Sequence, residues 1–206
     1  PSARRISFGI RRGEVRAEDI RTIGTEGQSF NLVTPKGSIQ IQLKALGQHN
    51  IYNALAAAAG LLELVGLETI AEGLEAFTPY TGRFHLEQLS NNRLLIDDSY
   101  NANPASCAVA LATLRDIKGG NRVFAAFGDM LELGNDELEL HRQLGIQAAS
   151  VVDRLYLLGN LTKETARAAE EAGMAAEAIF AAVNHEEIAN DIIRQAGPGD
   201  LILVKG

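Results

Sequence analysis

The chain has 206 residues, of which 46% are hydrophobic and 22% charged, and its formal net charge is −7. Such a composition is typical of a globular protein with an ordinary core, long enough for two modest domains, and the negative charge argues against a general nucleic-acid binder. The single cysteine excludes an intramolecular disulfide, and no apolar run approaches the ~18 residues of a membrane-spanning helix.

Residues 5–46 are predicted to be rich in β-strands. Short runs with β-branched and aromatic residues are separated by glycine-containing breaks: ISFGI, EVRAEDI, SFNLVTP and SIQIQLKAL. In the last run Ile39, Ile41 and Leu43 alternate with polar residues, which predicts a strand with one face in water.

From about Asn50 the hydrophobic period becomes that of a helix. Apolar residues recur at helical spacing and are expected on one face: Ile51, Leu55, Ala58, Leu62 and Val65. A second helix is predicted over Leu67–Phe77. The break TPYTG that follows predicts a domain boundary near 78–82, with Thr81 and Gly82 as a flexible link because glycine absorbs large dihedral changes.

The second half alternates short apolar strands with helices. Strands are predicted at Leu94–Ile96, Val123–Phe127, Leu155–Leu158, 178–183 and Leu201–Val204. Helix starts are predicted at Asn103-Pro104 and at two pairs that resemble capping boxes, Asp136 with Glu139 and Asn184 with Glu187. Wholly apolar strands that alternate with helices predict a parallel sheet covered on both faces. The predicted fold class is α/β: a Rossmann-like domain with a mainly parallel sheet over 81–206, preceded by a β-rich and helical domain over 1–80.

A dense polar segment, DDSYNANP, follows the first strand of this second half. In an open parallel sheet, ligands bind outside the carboxyl ends of the strands, where this segment is expected to lie. Asn103 is most simply a helix cap, and Asp97 or Asp98 could hold the loop through backbone N–H groups. One tyrosine with two asparagines and two aspartates exceeds what a cap needs, so we predict a binding site. Asp98 is expected to face solvent there, so that its removal would hardly change stability.

Two further polar segments allow more than one interpretation. In GQHNIYNALAAAAG, residues 47–60, the side chains of His49, Asn50 and Asn53 crowd the first turn of a helix, and capping explains them as well as a site does. FGDMLELG, residues 127–134, puts Asp129 and Glu132 at another strand's carboxyl end, where a solvated loop is the default interpretation.

Several chemical signatures are missing from the sequence. It contains no G-x-x-x-x-G-K-[ST] phosphate loop, no G-x-G-x-x-G fingerprint and no G-x-S-x-G elbow. Its histidines and its cysteine are scattered without metal-ligand spacing, so no metal ligand is assigned.

Together the polar segments resemble the Mur ligase family, and within it the branch that adds D-alanyl-D-alanine. GQHNIYNALAAAA resembles the family's G-x-H-N-x-x-N-x-x-A-A segment, Arg83 in TGRF matches an arginine that follows the central ATPase domain, and IDDSYNANPAS with FGDMLELG and His141 resembles motifs of that branch. LVKG, residues 203–206, resembles the start of a V-K-G-S-R motif. The resemblance covers Gly47–Gly206, and the β-rich start more loosely; Cys107 departs from a common methionine.

The resemblance implies an ATP-dependent peptide ligase of peptidoglycan synthesis that forms a C–N bond. It implies ATP and Mg²⁺ as cofactors, and the joining of D-alanyl-D-alanine to UDP-N-acetylmuramoyl-tripeptide through an acyl phosphate. It also implies roles for individual residues: ATP binding by His49, Asn50, Asn53, Arg83 and Asp98, catalysis by Arg83, and dipeptide contacts from Tyr100 and Asn101. The expected partners are small molecules, without nucleic acid or membrane, and the expected state is a cytoplasmic monomer.

The family's phosphate loop and metal ligands precede the motifs found here. The sequence is therefore interpreted as a fragment, inactive by itself, that comprises the trailing part of the central domain and the C-terminal domain. Two alternatives remain: a folylpolyglutamate-synthetase-like ligase, which shares H-N-x-x-N but is disfavoured by DDSYNANP, and a non-catalytic nucleotide-binding module.

Overall fold

The computed structural model describes residues 5–206, which form two compact units. One unit extends to Pro79, and the other comprises Tyr80–Gly206. Residues 1–4 of the predicted first domain lie outside the described part of the chain.

The first unit is an antiparallel sheet packed against two helices. Its elements are β1 (Arg16–Ile23), β2 (Gly27–Thr34), β3 (Gly37–Leu43), α1 (Gln48–Leu61) and α2 (Leu67–Ala76). The central strand β2 buries alternate residues, Phe30 and Leu32 among them, against Ile41 of β3 and Leu55 of α1. The alternation predicted for β3 is confirmed, since Ile41 and Leu43 are buried while the glutamines between and beside them are exposed.

Two predictions for this unit are wrong. ISFGI is not a strand among the described residues: an isolated bridge joins Phe8 to Val15, because the glycine-containing turn between them folds the segment back on itself. Val65 is not on the buried face of the first helix, because that helix ends at Leu61, and Val65 is 36% exposed.

The second unit is a six-stranded sheet with helices between its strands. Its strands are β4 (His85–Gln88), β5 (Leu94–Asp98), β6 (Val123–Gly128), β7 (Arg154–Leu158), β8 (Ile179–Ala181) and β9 (Leu201–Lys205). Its helices are α3 (Pro104–Ile117), α4 (Glu137–Ala149), α5 (Thr162–Glu171) and α6 (His185–Gln195). The strand order is β4-β5-β9-β6-β7-β8, and only β4 runs antiparallel to its neighbour.

The predicted α/β class with a mainly parallel sheet is confirmed. Five successive residues of β6, Val123–Phe127, are buried, as expected for a strand covered on both faces. The edge strand β4 was not predicted, because HLEQ is short and contains no β-branched residue.

A buried polar network ties β7 to α6. Asp191 Oδ2 accepts hydrogen bonds from Tyr156 Oη at 3.0 Å and from Arg154 Nε at 2.9 Å. Burial raises the pKa of the Tyr156 hydroxyl, and the Asp191 carboxylate raises it further. Because donors on β7 satisfy this buried carboxylate of α6, the network fixes α6 against the sheet at little cost in unpaired polar groups.

The predicted helix starts have mixed outcomes. Asn103 is confirmed as a cap: its Oδ1 accepts from Ser106 N at 2.8 Å, and its own N donates to Ser106 Oγ at 3.1 Å. Asn184 likewise accepts from Glu187 N at 2.9 Å. The capping box at Asp136 is wrong, because this residue has a near-helical backbone (φ −93°, ψ 5°) rather than the extended geometry of a cap, and it makes no capping side-chain hydrogen bond.

No helix within residues 5–206 has the length and apolarity needed to cross a bilayer.

Candidate functional site

Polar residues gather at the carboxyl end of β5, as predicted for the segment DDSYNANP. Asp97 and Asp98 are the last two residues of β5. The adjacent strand β9 ends at Lys205, which pairs with Asp98 in parallel register. Two carboxylates and an ammonium group therefore lie at the sheet edge where ligands of such folds bind.

Asp98 is held by partners on both of its oxygens. Oδ2 accepts from Lys205 Nζ at 2.6 Å, and Oδ1 accepts from Phe84 N at 3.0 Å. The Lys205 side chain is 1% exposed and that of Asp98 17%. The expectation that Asp98 faces solvent is therefore wrong, and because this carboxylate pairs with a buried cation we expect its removal to lower stability. Each carboxylate oxygen can accept a second hydrogen bond, so a ligand hydroxyl can still bind.

Asp97 holds the start of the second unit. Its Oδ2 accepts from Gly82 N at 2.9 Å, and its Oδ1 accepts from Ser99 N and from Ser99 Oγ. Burial opposes ionisation of Asp97, but the hydrogen bonds from Ser99 and Gly82 hold its pKa below the ordinary value. The carbonyl of Gly82 accepts in turn from Tyr100 N at 3.0 Å. Gly82 is thus hydrogen-bonded through both its N–H and its carbonyl within this unit, and its role in a flexible link stays a prediction.

Arg83 and Tyr100 form a stacked pair. The guanidinium carbon of Arg83 lies 4.3 Å from the centroid of the Tyr100 ring, and Tyr100 is 70% exposed. Such a cation–π contact restrains the guanidinium. The N–H donors of arginine lie in the guanidinium plane, a geometry that suits phosphate or carboxylate oxygens.

Asn101 completes the cluster in the second unit. Its backbone carbonyl accepts from Lys205 Nζ at 2.9 Å, and its side chain is exposed. The structure thus brings Arg83, Asp98, Tyr100 and Asn101 into one network around the end of β5. Their roles in ligand binding stay predictions. Lys205 was missed as a member, because a lysine after an apolar strand is ordinarily read as a solvated strand end.

In the first unit, the polar residues at the start of α1 do not act as caps. The cap position belongs to Gly47, with no side-chain hydrogen bond, and Asn50 instead donates from Nδ2 to Leu46 O at 2.8 Å. The buried Gln28 braces the same turn by donating to Ala45 O and Gly47 O, both at 3.0 Å. Capping therefore does not account for Asn50, which fixes the turn that enters the helix.

A cavity of about 420 Å³ lies between α1 and α2. Asn50 and Asn53 line it together with apolar residues of both helices, such as Ala54, Ile70 and Phe77. His49, partly buried, is not among the lining residues. A concave apolar space of this volume with a few polar groups is typical of a small-molecule site.

The third polar segment is structural. Asp129 accepts from the backbone N–H groups of Asn160, Leu161 and Thr162, each at 2.9 Å, and so holds the start of α5. The default interpretation of this aspartate as part of a solvated loop is wrong.

His141 fixes the other end of the same segment. Its buried ring accepts from Met130 N at Nε2 (3.0 Å) and contacts Glu137 O at Nδ1 (2.7 Å). Because an N–H points at Nε2, the ring proton lies on Nδ1, and the ring bridges the loop to the first turn of α4.

Within residues 5–206, no three histidine, cysteine, aspartate or glutamate side chains come together as a metal site. The described residues therefore do not by themselves form a cage for Mg²⁺, which prefers several oxygen ligands.

Comparison with known protein families identifies the family of the chain. A family profile described as "Mur ligase, glutamate ligase domain" matches residues 82–206, more than half of the chain, and one described as "Mur ligase middle domain" matches residues 1–61. The chain belongs to the Mur ligase family. The family resemblance inferred from the sequence motifs is confirmed.

Individual Mur ligases are similar to the chain over less than half of their own length. It is 43% identical, over 140 residues, to the UDP-N-acetylmuramoyl-tripeptide–D-alanyl-D-alanine ligase of Escherichia coli, a match that covers 66% of this chain and 30% of that protein. The crystal structure of MurF from Acinetobacter baumannii superposes with a TM-score of 0.80 at 30% identity, covering 98% of this chain and 44% of the other. The MurF ligase of Thermotoga maritima in complex with ADP shares the fold, with a TM-score of 0.78 at 22% identity, covering 97% and 44%.

Proposed function

We propose that the chain is part of an ATP-dependent amide ligase that joins D-alanyl-D-alanine to UDP-N-acetylmuramoyl-tripeptide in peptidoglycan synthesis. Mur ligases are ATP-dependent ligases that form amide bonds. The observation that carries the finer assignment is the cluster of Arg83, Asp98, Tyr100 and Asn101 at the sheet edge, in a chain 43% identical to the E. coli enzyme over 140 residues. Because the chain spans less than half of its relatives, it is proposed to supply part of the site and to be inactive alone.

The reaction needs two transfers. A carboxylate oxygen of the tripeptide attacks the γ-phosphorus of ATP, the bond to the bridging oxygen breaks, and ADP leaves. The dipeptide amine then attacks the carbonyl carbon of the acyl phosphate, phosphate leaves with the electron pair of the C–O bond, and the nitrogen loses a proton. Since a carboxylate is a poor electrophile, the protein mainly aligns anions and offsets their charge.

Arg83 and Asp98 suit two parts of this task. The stacked Arg83 guanidinium can bind phosphate oxygens while Tyr100 restrains it. Asp98 is a hydrogen-bond acceptor of fixed orientation, which suits a ribose hydroxyl. Tyr100 and Asn101, both exposed beside it, are the proposed contacts of the dipeptide.

The helical trio His49, Asn50 and Asn53 is proposed to serve the adenine base. Its support is the cavity between α1 and α2, where two amide side chains meet apolar walls that suit a flat ring. Mg²⁺ would supply charge neutralisation for the phosphates when bound, and we propose that its ligands lie outside this chain. The proposed partners are small molecules, and the proposed state is a cytoplasmic monomer.

The test is ADP release by the complete ligase that contains these residues, with UDP-N-acetylmuramoyl-tripeptide and D-alanyl-D-alanine both present. Arg83→Ala should lower kcat/KM by about 100-fold, the usual loss of one charge-stabilising donor. Arg167→Ala, an exposed arginine of α5, is the matched control and should change it less than about twofold. Residues 1–206 alone should give no turnover. Equal effects of the two variants, or preference for a single amino acid over the dipeptide, would overturn the proposal.

A further inference from the structure

Lys205 is a buried cation at a position where ligands are expected. It is the last residue of β9, its side chain is 1% exposed, and it lies opposite Asp98 in the parallel register of β5 and β9. A charged side chain taken out of water costs free energy unless its partners compensate it. The neighbouring residues that offset this cost are therefore informative about what the lysine does.

Both hydrogen-bond acceptors of the Lys205 ammonium group belong to the candidate site. Nζ donates to Asp98 Oδ2 at 2.6 Å and to the backbone carbonyl of Asn101 at 2.9 Å. These contacts join the end of β5 to the loop that follows it, three residues further along the chain. One buried ammonium group thus fixes the carboxylate and the loop relative to each other.

A second contact completes the orientation of the carboxylate. Phe84 N donates to Asp98 Oδ1 at 3.0 Å, so each oxygen of Asp98 has one protein partner. Two contacts at different oxygens define the plane of the carboxylate, and the remaining acceptor sites then point in fixed directions. Phe84 follows Arg83 directly, so the same carboxylate is bonded to the backbone that carries the stacked guanidinium.

We propose that Lys205 is a positioning residue, which fixes Asp98 and the Asn101 loop in the geometry that binds the nucleotide. The inference rests on the proposed function, since it gives the fixed carboxylate a ligand. Lys205 does not touch the ligand, because its side chain is inaccessible. Its effect on binding passes through the orientation of Asp98, and this separates it from a lysine that binds phosphate directly.

The experiment compares Lys205→Met with Arg122→Met in the complete ligase. Methionine has nearly the shape of lysine but neither charge nor donor. Arg122 is the matched control, because it pairs with the buried Asp200 at 2.6 Å beside the opposite, amino end of β9. Both variants should lose stability. Only Lys205→Met should weaken ATP binding, by roughly 10- to 100-fold, as measured by titration below both melting transitions.

Coupling to Asp98 distinguishes positioning from general damage. In an Asp98→Asn background, Lys205→Met should weaken ATP binding by less than about twofold more, because the orientation it maintained no longer matters. Effects that multiply independently would overturn the inference, as would ATP affinity of Lys205→Met within about twofold of Arg122→Met. If Lys205→Met does not fold, Lys205→Gln keeps a shorter donor and should show the same direction.

A readout without nucleotide separates this inference from the proposed function. Loss of Lys205 should speed hydrogen exchange of the Phe84 amide at least about tenfold beyond the effect of Arg122→Met, because its acceptor Asp98 is no longer held. Failure of the wild type to bind ATP would overturn the proposed function. Unchanged protection of Phe84 in Lys205→Met would overturn the positioning role.

Discussion

Replacing Asp98 with alanine should destabilise the second unit far more than a surface carboxylate would. The substitution leaves the ammonium group of Lys205, 1% exposed, without its counter-charge, and it removes the acceptor of Phe84 N. Breaking a buried ion pair by removing one partner costs about 3–5 kcal/mol. For a unit of this length, each kcal/mol lowers the melting temperature by roughly 4 °C, so a fall of about 12–20 °C is expected.

The measurement is differential scanning calorimetry of the 206-residue chain at neutral pH. The control is the double variant Asp98→Leu/Lys205→Met, in which both charges are replaced by apolar groups. Removal of a whole buried pair is often nearly neutral, so this variant should recover at least half of the lost stability. An Asp98→Ala chain that melts within about 4 °C of the wild type would contradict the reasoning, because the buried lysine would then have found another partner.

Three further outcomes are expected. Burial raises the pKa of the Cys107 thiol to about 11. Iodoacetamide at pH 8 should therefore alkylate this thiol in the native chain at least roughly 100-fold more slowly than in the urea-unfolded chain. Equal alkylation rates would contradict this expectation. Gly159→Ala should lower the free energy of unfolding in urea by at least about 1–3 kcal/mol, because Gly159 has φ +146° and a Cβ there would lie 2.2 Å from a carboxylate oxygen. The control Gly120→Ala, at a position where a Cβ meets open space, should leave that free energy nearly unchanged. Burial opposes ionisation of Asp191, but hydrogen bonds from a tyrosine and two arginines lower its pKa. The stabilisation by this carboxylate is therefore present above roughly pH 4 and is lost as the pH falls through the lower pKa of the folded state. Asp191→Asn should reduce the slope of stability against pH in this acidic range, and an unchanged slope would refute the assignment.

Periodicity predicted the elements of this fold because it reports local geometry. The alternation in β3 and the helical spacing in α1 follow from which side each residue presents to the core. Both are confirmed except at Val65, which lies beyond the end of α1. The ends of helices and strands were harder to predict from the sequence. Asp136 has the chemistry of a cap, yet a preceding 3₁₀ turn gives it a backbone that cannot cap.

Only some residues of the candidate site could be predicted from the sequence, for a related reason. The composition of DDSYNANP predicts a polar site, but the partner that orients Asp98 is Lys205, 107 residues away in sequence. Likewise Asp129 could not be distinguished from a solvated carboxylate, because its three donors follow a different strand. Side-chain roles set by contacts distant in sequence need the fold before they can be assigned.

The position of β9 in the sheet has a consequence for how the second unit is made on the ribosome. β9 lies between β5 and β6, although it is the last strand of the sheet to be synthesised. Until it emerges, β5 and β6 lack their common neighbour, and each exposes backbone donors and acceptors that invite pairing with other chains. Bringing β9 next to β5 also closes a long segment of chain, and such long-range pairing is slow. Until β9 is synthesised, the second unit therefore remains an incomplete sheet, and its folding waits for these five residues.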